Sequence, residues 1–355
     1  MVAHPGSDDL SLLLRRHADL EALDGDGDGG NFLSGWQCEN PWIGEISKLV
    51  AEHSSDLDPR QYLYLGLDNQ IKQGLLDFHR AIEGERIEEF LCGTGSSTII
   101  FSFCALLKDL EIREVYYVPP LYFSFHFALQ MFGIRARAIS GRHAFEERFS
   151  MNLPDKNTVL VLTDPIWYAG ISLPSQIAEK IIEWQRKTSS LVFVDGSFQY
   201  TNWYGSTLEL TSMLDPEFTI RLICPTKILA AHGYRFAYAA IPKRLYVRLS
   251  HIYANIYGSA SGDSMGFGRV AMSMVSTGKI ATSLMELAAT RHKKLRSSGK
   301  IFSTWQPNCG YFVFERIEDS RLDNILSMDG SFFEQKRYKD HRRINLLSPS
   351  IHLFD

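Results

Sequence analysis

Between residue 69 and about residue 245, stretches with an apolar residue every three or four positions alternate with short, mainly apolar runs. The first pattern predicts helices over Asn69–Ile82, Ser96–Leu107, Phe123–Met131 and Ser175–Lys187. The second predicts strands at Glu89–Cys92, Val115–Val118, Ile134–Ile139, Thr158–Thr163, Leu191–Asp195, Thr219–Cys224 and Phe236–Ile241. Strands without a polar face, separated by helices, indicate an α/β fold: a mainly parallel seven-stranded sheet between helices.

Beyond residue 245 the pattern lengthens. Helices are expected over Leu245–Tyr257 and Val270–Leu295, flanking a Gly/Ser loop at Gly258–Gly268, with extended segments at Tyr311–Glu315 and Arg343–Leu347. This suits a smaller α+β domain. The expected division is 1–50 for an N-terminal arm and part of the small domain, 51–245 for the large domain and 246–355 for the C-terminal small domain. Within the arm, Leu10–Leu23 reads as a short helix.

Composition narrows the class. A chain of 355 residues, 45% hydrophobic and 12% aromatic, can bury a large core. Its formal charge of −4 argues against a nucleic-acid partner. The five cysteines form no CxxC pair and are odd in number, which fits a reducing compartment. No run reaches membrane-spanning length and the start lacks the order of a signal peptide, so no membrane partner and a cytoplasmic location are expected. Asp24-Gly25-Asp26-Gly27-Asp28-Gly29 imitates a calcium loop, but its twelfth position is Gly35 where a bidentate glutamate is required; no metal is expected.

The candidate chemistry centres on Cys224-Pro225-Thr226-Lys227-Ile228-Leu229-Ala230-Ala231-His232-Gly233-Tyr234-Arg235. A lysine behind the hydroxyl of Thr226, with Arg235 eight positions later, is a pattern that holds pyridoxal 5′-phosphate (PLP): the amine forms a Schiff base and the guanidinium forks onto the phosphate. Gly93-Thr94-Gly95-Ser96 ends a strand and opens a helix, as a phosphate cup does, although alone it reads equally as a helix cap. Asp195 ends an apolar strand, where a carboxylate pairs with a pyridine nitrogen or caps a turn. Tyr122 follows Pro119-Pro120 and reads as a ring for the cofactor's face or as a core tyrosine.

With these residues in this order, the chain resembles the class I/II aminotransferases, PLP-dependent enzymes of fold type I, from about Leu33 to Leu347. The resemblance implies that Lys227 is the Schiff-base lysine, Asp195 the partner of the pyridinium and Arg235 the phosphate arginine. It implies cofactor contacts from Gly93, Thr94, Gly95, Tyr122, Trp167 and Thr226. Tyr64, in Tyr64-Leu65-Gly66-Leu67-Asp68, would reach the phosphate of a neighbouring subunit, making a homodimer with shared sites. Arg343, in Arg343-Ile344-Asn345-Leu346, would bind the substrate carboxylate, with Trp36 and Gly35 beside it; Pro307-Asn308-Cys309-Gly310-Tyr311-Phe312 matches the preceding strand. The implied activity moves an amino group between an amino acid and a keto acid, possibly in a specialised biosynthesis.

Three residues depart from the family's pattern. Trp167 stands where an asparagine usually donates to the cofactor's phenolic oxygen, Phe198 where a tyrosine does, and Cys224 where a serine touches the phosphate. Fewer donors leave the phenolate more basic, so a Schiff base that stays protonated, and yellow, at neutral pH is expected. The same losses keep open a lyase, cyclase or oxidase acting on an amino-acid side chain, an arginine derivative for example, without net transamination. A regulatory module fused to a DNA-binding domain is a third class, for which the acidic arm is too short. Trp36, Tyr122, Trp167 and the acidic turn suggest an aromatic or cationic substrate side chain. The chain ends twelve residues after Arg343, so a trimmed small domain is expected.

Overall fold

A computed structural model describes residues 33–58, 60–64, 68–84, 87, 89–204, 210–302, 304–318, 327–333 and 337–354, with Arg15 and Asp19 before them. The calcium-like turn and, but for those two helical positions, the short N-terminal helix lie outside the described residues.

Seven strands build the large sheet: β1 (Phe90–Gly93), β2 (Glu114–Tyr117), β3 (Arg135–Ala138), β4 (Val159–Thr163), β5 (Leu191–Gly196), β6 (Thr219–Ile223) and β7 (Ala237–Ala240). Their spatial order is β1-β7-β6-β5-β4-β2-β3. Only β7 runs against its neighbours, β1 and β6; the others are parallel. The central strands β4 and β5 are buried on both faces because alternate residues enter different cores. Leu160, Leu162, Val192 and Val194 join one cluster, while Val159, Val161, Leu191 and Phe193 join the other. The apolar runs are the sequence trace of that double burial.

The helices are α1 (Ile43–Ser54), α2 (Asn69–Glu83), α3 (Ser96–Asp109), α4 (Phe123–Met131), α5 (Ser175–Thr188), the single turn α6 (Pro225–Ile228), α7 (Lys243–Tyr257), α8 (Gly262–Ser276) and α9 (Lys279–Ser297). A second sheet, antiparallel in the order β10-β9-β8, holds β8 (Ile301–Phe302), β9 (Phe312–Ile317) and β10 (His341–Asn345). Among the described residues no helix is long and apolar enough to cross a membrane.

Two expectations are corrected. Much of the predicted Gly/Ser loop is helical: α8 starts at Gly262, and Ser261 accepts from the Ser264 amide as its cap. The glycines serve close packing. A Cβ on Gly266 would lie 1.9 Å from Ser54 Oγ and 2.8 Å from the Val50 carbonyl of α1, and one on Gly268 would strike Phe236 and Ile71. The expected long helix over Val270–Leu295 is in fact two, broken at Gly278, whose φ is +74°.

Candidate active site

Because β1, β2, β4, β5 and β6 run the same way, their carboxyl ends share one edge of the sheet, where ligands bind in such folds. Lys227 stands beyond β6, in α6. Pro225 takes the first helical position, where no backbone donor is needed, and the Lys227 amide donates to the Cys224 carbonyl at 2.8 Å. The ammonium lies 4.8 Å from the Trp36 ring, 5.0 Å from Phe198 and 5.9 Å from Tyr122. Burial pulls its pKa down, against the Asp195 carboxylate and with help from Arg343 and Arg235. An amine held in that state is easier to have neutral and nucleophilic.

Asp195 occupies the penultimate position of β5, buried, opposite Thr163 of β4. Its Oδ1 accepts from Ser197 Oγ at 2.6 Å and from the Ser197 amide at 3.2 Å. Burial raises its pKa, while the Lys227 charge and the Ser197 donors oppose the rise.

The glycine segment and Arg235 meet. Gly95 caps α3 with φ +100°, and a Cβ there would lie 2.5 Å from Arg235 Nη2. Arg235 is itself left-handed, at φ +52°, and exposed. Gly93 is similarly confined: a Cβ there would lie 2.8 Å from Thr98 Oγ1. The Thr94 amide donates to Tyr253 Oη at 3.1 Å, and the Thr226 hydroxyl to the Phe236 carbonyl at 3.2 Å. Both donors are thus engaged within the chain.

The opposite wall comes from the second sheet and residues 33–40. Arg343, on β10, is fully buried and donates to the Ser34 carbonyl, while Ser34 Oγ donates to the Arg343 carbonyl. Its guanidinium carbon sits 4.5 Å from the Phe312 ring, 5.0 Å from Trp36, 5.2 Å from Trp167 and 5.9 Å from Phe333. Asn345 Nδ2 donates to the Gly35 and Gln37 carbonyls, and Asn40 Nδ2 to Leu229 and Ala230 next to Lys227. That segment is a strap between β10 and the lysine turn, and it lays Trp36 over Lys227. Trp167, in the turn after β4, packs its ring against Tyr122 at 5.3 Å and Trp36 at 6.1 Å.

Lys227, Asp195, Tyr122, Trp167, Trp36 and Arg343 therefore share one region, with Gly95 and Arg235 forming its second corner. Tyr64 stands elsewhere on the surface, 42% exposed and packed on Tyr62. Sequence reading missed four participants. Ser197 is two positions past Asp195, so the spacing of an Asx-type turn could have suggested it. His232, inside the lysine motif, meets Tyr311 Oη at 3.0 Å; burial and then the Lys227 and Arg235 charges push its pKa down to about 3, so it is neutral. Phe333 and Tyr253 reach the site only through tertiary packing, and nothing local marks them.

No protein-family model matches the sequence, and no curated protein matches it either. Solved structures do. The aminotransferase AspB from Helicobacter pylori superposes with a TM-score of 0.76 at 15% identity, over 100% of this chain and 98% of that one. A probable N-succinyldiaminopimelate aminotransferase from Thermus thermophilus gives 0.75 at 16% identity, over 96% and 97%. YbdL from Escherichia coli, described as having a methionine aminotransferase function, gives 0.73 at 11% identity, over 100% and 96%. The chain has the fold of these aminotransferases across its whole length, as the resemblance implied.

Proposed function

We propose that this protein is a PLP-dependent aminotransferase that exchanges an amino group between an amino acid and a keto acid. One observation carries the reading: Asp195 at the end of β5, Lys227 in the turn after β6 and Arg343 in the middle of β10 converge on a single buried region of a fold shared with solved aminotransferases.

The residues suit the cofactor. Gly95 leaves open the space beside Arg235 that a Cβ would fill, an anion corner at the start of a 14-residue helix. Asp195 is a buried acid held by only one serine. Trp167 keeps a buried indole N–H without a partner among the described residues. When bound, PLP supplies an electron sink for the charge left when a Cα–H bond is broken.

The chain supplies the rest. Lys227 Nζ would hold the cofactor's aldehyde carbon and would move the substrate's Cα proton. Asp195 keeps the proton on the ring nitrogen. Arg343 takes the substrate carboxylate in a setting of four aromatic rings, where little water competes for the charge. Arg235, with Gly93, Thr94 and Gly95, takes the phosphate. Trp36 excludes water above Lys227. We place the protein in the cytoplasm as a homodimer, with Tyr64 serving the neighbouring subunit's phosphate.

Borohydride reduction of the purified protein with PLP, followed by mass spectrometry, tests the reading: the peptide carrying Lys227 should gain the reduced cofactor. An amino-acid screen should then yield pyridoxamine phosphate and a keto acid. A colourless protein with an unlabelled Lys227 sinks the proposal; labelling without pyridoxamine phosphate removes transamination alone.

A further inference from the structure

Trp184 and Trp203 are buried, and each indole N–H is satisfied by a carbonyl: Pro154 at 2.7 Å and Gly310 at 2.6 Å. Trp167 breaks that habit. It is 7% exposed, and its Nε1 has no hydrogen-bond partner among the described residues. A buried N–H left alone destabilises a fold, so a partner supplied from outside the chain is the simplest way to keep it.

The indole has little freedom to find another partner. Its turn is pinned at both ends, where Ile166 N–H donates to the Ile171 carbonyl at 2.8 Å. A Cβ on Gly170 would come within 2.4 Å of the Phe312 carbonyl, so the turn is seated directly on the second sheet. Trp36 stacks at 6.1 Å, and Tyr122, Phe333 and Tyr168 close the sides at 5.3, 5.5 and 5.7 Å. A positive charge stands close by: the Arg343 guanidinium, 5.2 Å from the ring. Lys227 adds a second cation beyond Trp36 and Tyr122. A donor fixed among cations selects an anionic oxygen as its acceptor.

We infer that the Trp167 indole N–H is a ligand-binding donor that hydrogen-bonds an anionic oxygen brought into the site. Resting on the cofactor reading above, that oxygen has two possible sources: the phenolate of bound PLP, or the substrate carboxylate shared with Arg343. Trp167 is then a binding residue for the reacting molecules, not a core aromatic that happens to face them.

The test uses the full chain loaded with PLP, wild type and Trp167→Phe, both checked for borohydride labelling at Lys227. The first measurement is the pH at which the bound cofactor's visible band changes. Losing a donor to the phenolate tightens its hold on the shared proton, so Trp167→Phe should move that pH upward by about one unit or more. The second is the dissociation constant of 3-phenylpropionate, a carboxylate without an amine, read from the same band. If the carboxylate is the acceptor, binding should weaken by about tenfold with the pH unchanged. Trp167→His, which returns an N–H donor, should recover part of either effect. If Trp167→Phe does not fold, replacing the tryptophan by 3-benzothienylalanine keeps the bicyclic shape and removes only the donor. Equal pH and equal binding, with Lys227 labelled in both proteins, overturn the inference and leave the cofactor reading standing. An unlabelled Lys227 in the wild type brings down both.

Discussion

Gly95 and Arg235, 140 positions apart in sequence, are placed so that a single methyl group on residue 95 would stand 2.5 Å from the Arg235 guanidinium. Position 95 also has φ +100°, which side chains resist. Gly95→Ala should therefore push Arg235 out of the anion corner as well as strain the cap of α3. The expected result is PLP affinity weakened by about tenfold to a hundredfold, measured by equilibrium dialysis. Undiminished retention of the cofactor would mean that this corner does not hold its phosphate.

Arg343→Lys keeps the charge and discards the planar fork. A lysine cannot both span to the Ser34 carbonyl and present two parallel donors to a carboxylate. Substrate half-saturation should rise by at least about tenfold, roughly 1.4 kcal/mol, while cofactor binding is preserved. Single-turnover titration with the best amino acid from the screen gives the answer.

Tyr64→Phe bears on assembly. The hydroxyl sits on a side chain that is 42% exposed in the single chain, its ring tilted against Tyr62 at 4.8 Å. If it reaches a neighbour's phosphate, the variant should remain a dimer by light scattering yet release PLP more readily. Unchanged release would argue that each site is built from one chain.

Legibility in sequence follows from what each feature depends on. The central strands of the large sheet were readable because double burial favours apolar residues on both faces, as Leu191–Val194 shows. Lys227, Asp195 and Gly95, singled out in the sequence, come together in space because each stands at or just beyond the carboxyl end of a strand of the large sheet. The Gly258–Gly268 segment misled because glycine signals both flexible turns and close helix contacts, and only tertiary packing against Val50 and Ser54 decides between them. Phe333 and Tyr253 left no trace for the same reason. Their contribution is a distance to another element, which no local pattern encodes.

That packing supplies a stability prediction. Gly266→Ala would drive a methyl into Ser54 Oγ and the Val50 carbonyl, separating α8 from α1. A loss of about 1–3 kcal/mol is expected in urea unfolding, with partial recovery in the double variant carrying Ser54→Ala. An unchanged midpoint would show that the two helices have slack.

Acid should weaken the fold through a buried cluster behind the sheet. Arg221 donates to Glu83 Oε2 at 2.6 Å, and His79 contacts the same oxygen at 3.1 Å. Burial alone would lift the Glu83 pKa, but the His79 hydrogen bond and the Arg221 charge reverse this, from an ordinary 4.5 to about 2. Burial lowers the His79 pKa below its usual 6.5. In both cases the unfolded chain binds the proton first, so stability is full above 6.5, begins to fall as His79 protonates in the unfolded state, and falls further between 4.5 and 2. Unfolding midpoints taken from pH 7 down to 3 should show this decline, and Glu83→Gln should be less stable at neutrality with a flatter lower limb. A midpoint constant down to pH 3 would contradict the assignment.

Ser34 and Arg343 clasp each other across 309 positions of sequence. On the ribosome, then, a nascent chain can complete the seven-stranded sheet, with Trp36 and Lys227 both made, well before Arg343 on β10 has been translated. Cofactor added during synthesis should be captured only loosely until the final strand emerges from the exit tunnel, and truncation just before residue 343 should leave a protein that folds around vitamin B6 yet cannot orient what it is given.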